Sequence, residues 1–175
     1  MADRIYNVLF LCTGNSARSI LGEALLNHVG ADRFRGFSAG STPKGQVHPL
    51  TLETLANAGI ATEGLRSKAW DEFAVPGAPV MDFVFTVCDN AANEACPIWP
   101  GQPMTAHWGL EDPAAVEGTE FQQRAAFADT LRFLRNRIGA FVNLPLSSID
   151  RLALNSKLEG IGAMDGTTTK SSDVA

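Results

Sequence analysis

Short, nearly continuous apolar runs alternate along this chain with longer stretches of helical periodicity. Ile5 to Leu11 is the first such run, and its lack of polar alternation predicts a strand buried on both faces. From Ala17 to Val29, Ile20, Leu21, Ala24, Leu25 and Val29 recur at helical spacing and predict a helix. Phe34 to Ala39 reads as a second short strand. Pro49 to Ala58 reads as a helix, with Pro49 in the first turn and Gly59 at the stop. Asp82 to Cys88 is a third, almost wholly apolar strand, and Met104 to Trp108 a short fourth. Thr119 and Gln122 form a capping-box pattern for a helix to about Ile138. Its inner stripe is Phe127, Leu131, Leu134 and Ile138, while Arg124, Arg132 and Arg135 face solvent. Pro145 to Leu154 predicts a last short helix. Strands alternating with helices predict an α/β fold of three layers, with about four parallel strands and helices on both faces.

Composition bounds this picture. With 175 residues, 45% hydrophobic, the chain is long enough for one domain with a full core, read here as residues 1–159. From Gly160 onward Gly, Thr, Ser and Lys dominate, so residues 160–175 are expected to form a flexible tail. A formal net charge of -5 argues against nucleic acid or an anionic membrane as the main partner. The first apolar run is too short to span a bilayer and no cleavage site follows it, so a cytoplasmic location is expected. Three cysteines do not make a disulfide scaffold, and His28, His48 and His107 are too scattered to suggest a metal centre.

The chemistry is concentrated directly after the first strand, in Leu11-Cys12-Thr13-Gly14-Asn15-Ser16-Ala17-Arg18-Ser19. A strand, a loop of small residues and a helix start form an oxyanion cradle, because backbone N–H groups turn inward and the helix adds its positive end. Thr13, Gly14, Asn15, Ser16 and Ala17 would supply those amides, and Arg18 a planar fork for two oxygens. Cys12, opening the loop, is expected to be a thiolate of lowered pKa. Taken alone, a cysteine ending a strand is as readily a small core residue; the surrounding pattern favours chemistry. In open parallel sheets ligands bind beyond the carboxyl ends of the strands. Cys12, Ser38, Cys88 and Asp112 all fall at or after such ends.

The loop resembles the signature of the low-molecular-weight tyrosine phosphatase superfamily, and more narrowly its arsenate reductases. Phe37-Ser38-Ala39-Gly40, Val87-Cys88 with Cys96-Pro97, and His107-Trp108-Gly109-Leu110-Glu111-Asp112-Pro113 match the narrower group, so that the resemblance covers about Asn7 to Ile138. It implies a flavodoxin-like fold and reduction of arsenate to arsenite, a detoxification reaction. It casts Cys12 as nucleophile, Arg18 as oxyanion clamp and Asp112 as general acid. Ser19 would donate to the Cys12 thiolate, while Asn15 and Ser38 support the loop. In some members Asn15, Glu23 and Ser38 help hold a potassium ion; a glutamate on a helix is more often simply a solvated residue.

After arsenate binds to Cys12, the resemblance implies thiol–disulfide exchange. Cys88 would attack Cys12, and Cys96 would then take Cys88 into a disulfide that an external reductant opens. Ordinary packing remains the other reading of Cys88 and Cys96. A disulfide needs Cα atoms roughly 4.4–6.8 Å apart, whereas eight helical positions span about 12 Å at ~1.5 Å each. Asp89 to Pro100 is therefore expected to be mobile. The Cys88–Cys96 spacing is one residue longer than in thioredoxin-coupled relatives, so the donor stays open between thioredoxin and glutathione with glutaredoxin. The alternative activity is a phosphotyrosine or phosphomonoester phosphatase, which needs only Cys12, Arg18 and Asp112. Such enzymes usually carry tyrosines near the acid, and the single tyrosine here is Tyr6.

Overall fold

The computed structural model describes residues 4–89 and 99–168. Among these residues four strands form one wholly parallel sheet in the order β2-β1-β3-β4. They are β1 (Tyr6–Cys12), β2 (Phe34–Gly40), β3 (Phe83–Thr86) and β4 (Met104–His107). The helices are α1 (Arg18–Val29), α2 (Pro49–Asn57), α3 (Glu120–Val142) and α4 (Arg151–Gly162), with short 3-10 turns at Trp70–Phe73 and Pro113–Ala115.

Alternation along β1 sorts the core. Val8, Phe10 and Cys12 face a large cluster with α1, α2, α3 and α4, whereas Leu9 and Leu11 face Ala39, Phe73, Met81, Val84 and Trp99. The sheet is thus the middle of three layers, and among the described residues all four α-helices lie on one side of it. The other side is covered by the Trp70–Phe73 turn and its neighbours. Phe85 stacks on Trp108 at 3.9 Å between ring centroids, and Phe141 meets both edge-on.

Local chemistry sets the ends of the helices. The Thr119–Gln122 capping box is formed, and Phe127, Leu131, Leu134 and Ile138 are buried. The His48 side chain accepts from Leu50 N–H at the start of α2, with Pro49 in the first turn. Val29, the last of the apolar positions at helical spacing in α1, is 41% exposed, because the helix stops there at Gly30. The last helix differs from its expected span of Pro145 to Leu154. Residues 145–149 make turns, and the Asp150 side chain accepts from Ala153 N–H, which starts α4 after it.

The first part of the expected tail from Gly160 is structured. α4 continues to Gly162, Ile161 and Gly162 are buried, and Thr167 pairs antiparallel with Leu110. Small polar residues here serve close packing: a Cβ at Gly162 would run into the His107 carbonyl oxygen. Most of the segment expected to be mobile, residues 90–98 with Cys96, lies outside the described residues, as do residues 169–175. No helix among the described residues is long and apolar enough to cross a membrane.

Candidate active site

The loop after β1 is held from outside by its carbonyl oxygens. Cys12 O accepts from Ser41 N, Thr13 O from Thr42 N, and Gly14 O from Lys44 N and Ser67 Oγ. Ser16 O accepts from His48 N and Thr51 Oγ1. A planar trans peptide that sends its C=O outward sends its N–H inward, so this bracing turns the loop amides toward Cys12. Asn15 adopts φ 44°, a left-handed conformation that asparagine tolerates better than most residues. Gly40, at the end of β2, lets the loop pass: a Cβ there would collide with Thr13 O and lie 3.0 Å from Asn15 N. Ala17 precedes α1 with no side-chain cap, so the first amides of α1 stay available to an anion.

Within the cradle, Cys12 Sγ accepts from Asn15 N at 3.1 Å and lies 2.9 Å from Ser19 Oγ. Asn15 Nδ2 donates to Ser19 Oγ and to Ser38 Oγ, while Asn15 Oδ1 accepts from Lys68 N. One amide side chain thereby ties the loop to α1, to β2 and to the segment before the Trp70–Phe73 turn. Arg18 Nη1 donates to Leu110 O at 2.8 Å, and its Nη2 is 3.8 Å from Asp112 Oδ2. Asp112 is half-exposed and caps the turn after it by accepting from Ala114 N. Cys88 is buried, with its Sγ 3.5 Å from Thr13 Oγ1. Arg18, Cys88, Asp89, Leu110 and Asp112 contribute to the wall of an open cleft of about 500 Å³.

The protonation of Cys12 departs from the sequence expectation. Burial pushes its thiol up from the ordinary value, and the nearby Cys88 adds to this. The Ser19 hydroxyl, Arg18 and the Ser19 backbone amide pull the other way without reversing it. The cause is tertiary: Cys12 is only 3% exposed, so desolvation of the charged form dominates. A raised pKa means that the thiolate fraction grows with rising pH, and with Cys12 as the expected nucleophile turnover should grow with it. Ser19→Ala removes a group that stabilises the thiolate, so its pH–rate profile is expected to move to higher pH. Turnover at pH 7 should fall on the order of tenfold, the cost of one charge-assisted hydrogen bond. A pH–rate series on both proteins checks this, because the high-pH plateau should be kept.

The residues expected to help hold potassium do not fit that ion here. Lys68, whose signal in the sequence was nil, extends its buried ammonium among them. Lys68 Nζ donates to Arg66 O at 2.9 Å, to Ser38 Oγ at 3.3 Å and to Glu23 Oε1 at 3.4 Å. Ser38 Oγ in turn donates to Glu23 Oε1. A fixed positive charge already meets the oxygens a cation would need. Lys68→Met would leave the largely buried Glu23 without its paired ammonium, at an expected cost of about 3 kcal/mol. Thermal unfolding should show this as a melting point lower by several degrees. Among the described residues no group of three or more His, Cys, Asp or Glu is placed to hold a metal ion.

Beside Cys88, His107 Nδ1 is 2.8 Å from Thr86 Oγ1, and His107 Nε2 is 2.8 Å from Asp89 Oδ1. Burial acts to raise the Asp89 pKa, but hydrogen bonds from Thr168 and His107 and the charge of Arg18 bring it below the usual value.

The model of the low molecular weight phosphotyrosine protein phosphatase family matches residues 7–150. An arsenate reductase of Shouchella clausii (strain KSM-K16) is 33% identical over 76% of this chain and 89% of its own. One of Bacillus subtilis (strain 168) is 33% identical over 77% of this chain and 93% of its own. Among solved structures, a thioredoxin-dependent arsenate reductase of Corynebacterium glutamicum aligns with a TM-score of 0.53 and 26% identity, over 79% of this chain and 64% of its own. The chain belongs to the low molecular weight phosphotyrosine protein phosphatase family, and the two curated relatives just described are arsenate reductases.

Proposed function

We infer that this protein is an arsenate reductase. The observation that carries the reading is a buried cysteine inside a braced oxyanion loop, with a second cysteine at the same rim. Cys12 Sγ sits beneath inward-turned amides, and Cys88 Sγ lies against Thr13 of that loop.

Arsenate, a tetrahedral oxyanion of phosphate-like size and charge, binds the loop amides and Arg18. The donors are already oriented, so little reorganisation accompanies the charge changes of the reaction. The Cys12 thiolate attacks arsenic, and the As–O bond to the departing oxygen breaks. Asp112 supplies the proton with which that oxygen leaves as water. Cys88, as thiolate, then attacks Cys12 Sγ. An S–S bond forms, the S–As bond breaks, and its electron pair stays on arsenic, which leaves as arsenite and takes up protons. Arsenic is reduced from the pentavalent to the trivalent state, and two thiolates become one disulfide. Cys96 next attacks Cys88, frees Cys12 and leaves a Cys88–Cys96 disulfide for an external dithiol in the cytoplasm.

Tyr6 supports this reading over phosphotyrosine hydrolysis. It stands at the opposite end of β1 from Cys12, packed on Phe34 and Phe83, so it offers no grip for a substrate ring.

The test is arsenate-dependent NADPH oxidation, with thioredoxin and its reductase in one assay and glutathione with glutaredoxin in another. Turnover with thioredoxin that is lost in Cys96→Ser supports the three-cysteine relay. Turnover with glutathione alone keeps the reductase and removes the relay. Absence of turnover in both, with hydrolysis of p-nitrophenyl phosphate dependent on Cys12, overturns the reading in favour of a phosphatase.

A further inference from the structure

The family match ends at residue 150, but the chain runs on and returns to the active site. After α4, the guanidinium of fully buried Arg137 holds the carbonyl oxygens of Met164 and Asp165 at 3.0 Å each. Thr167 then pairs antiparallel with Leu110, and Thr168 N donates to Gly109 O at 3.2 Å. These contacts bring Thr168 Oγ1 within 2.7 Å of Asp89 Oδ1, to which it donates. The same oxygen lies 2.8 Å from His107 Nε2, and Thr86 Oγ1 meets the other nitrogen of that ring. Gly109 leaves room for the convergence. A Cβ there would collide with Thr168 Oγ1, and would lie 2.6 Å from His107 Nε2 and 2.8 Å from Asp89 Oδ1.

One carboxylate oxygen is therefore gripped from the end of β4 and from the C-terminal extension, and it belongs to the residue directly after Cys88. In the exchange step Cys88 must reach Cys12 Sγ from the exit of β3. A backbone free to drift at Asp89 would carry that thiol away from the loop, and misplacement by about 1 Å is enough to cost a reacting group much of its rate. We propose that Thr168, supplied by the C-terminal extension, is a positioning residue that acts through Asp89 to hold Cys88 at the rim of the oxyanion loop. Its effect on turnover rests on the reading of Cys88 as the second thiol; its effect on the placement of Cys88 does not.

The test compares full-length wild type, Thr168→Val and Thr168→Ser. Valine keeps the shape and removes the hydroxyl, whereas serine keeps the hydroxyl. Labelling of each cysteine by N-ethylmaleimide is followed by mass spectrometry. Loss of one hydrogen bond is expected to speed labelling of Cys88 about fivefold in Thr168→Val, with Cys12 changed less than twofold and Thr168→Ser close to wild type. Arsenate kcat in Thr168→Val should fall about fivefold with KM little changed, since binding belongs to the loop and Arg18. Unchanged labelling of Cys88, equal acceleration at Cys12 and Cys88, or failure of serine to restore the wild-type pattern overturns the proposal. Selective loosening of Cys88 in a protein whose wild type turns over no arsenate supports the positioning role and removes the reductase reading instead.

Discussion

Cys12→Ser is expected to abolish arsenate turnover, with a loss on the order of 10⁴-fold or more. The proposed reaction requires a sulfur that bonds to arsenic and then yields that bond to a second thiol. A serine hydroxyl is neither ionised near neutral pH nor able to enter a disulfide. The loop should survive the change, because its carbonyls are held by Ser41, Thr42, Lys44 and His48 rather than by the sulfur. Asn15 N and Ser19 Oγ would find an oxygen acceptor in place of Sγ. Phosphate should therefore still bind Cys12→Ser and raise its melting temperature. Parallel measurement of turnover and of phosphate-dependent melting separates a lost nucleophile from a lost fold.

Arg18→Lys, which keeps the charge, is expected to lower kcat/KM for arsenate by about 10²–10³-fold, the usual effect of removing one preorganised donor from an oxyanion site. The guanidinium does two jobs that an ammonium cannot share. Its Nη1 is committed to Leu110 O at 2.8 Å, which anchors the fork. Its Nη2 lies 3.8 Å from Asp112, which in the proposed mechanism leaves the planar edge for two substrate oxygens and keeps the acid close. A lysine would have to choose between the Leu110 carbonyl and the anion. Steady-state kinetics over a range of arsenate concentrations checks this. A loss confined to KM would show that Arg18 serves ground-state binding alone.

The contrast between loop and periphery shows what kind of information the sequence held. The β1 run, the loop from Cys12 to Ser19 and the Thr119 capping box are local: each is written in adjacent residues whose chemistry dictates a conformation. Asn15 suits its positive φ by residue type, whereas the need for Gly40 against Thr13 O arises only once β2 lies beside the loop. Lys68 was not legible. It lies in an unremarkable Arg66-Ser67-Lys68-Ala69 stretch and gains its meaning only when β2 and α1 bring Ser38 and Glu23 to it. The C-terminal stretch misled for a related reason. Its Gly and Thr residues read as an unstructured tail, but the apolar partner that a tail lacks is replaced by Arg137, a buried cation that gathers Met164 and Asp165 carbonyls from a distance. The protonation of Cys12 failed in the same way. Local donors argued for a lowered pKa, while the burial that raises it is set by the helices packed over that end of the sheet.

In the proposed reaction Cys12 delivers electrons to arsenic, and arsenite itself is the product to measure. Purified protein is incubated with arsenate and each reducing system, and trivalent arsenic is quantified by chromatography coupled to elemental detection, with Cys12→Ser alongside. The proposed reaction predicts one arsenite formed for each NADPH consumed, and none above background with Cys12→Ser. Absence of arsenite from the wild type, while the same preparation hydrolyses p-nitrophenyl phosphate through Cys12, would contradict it.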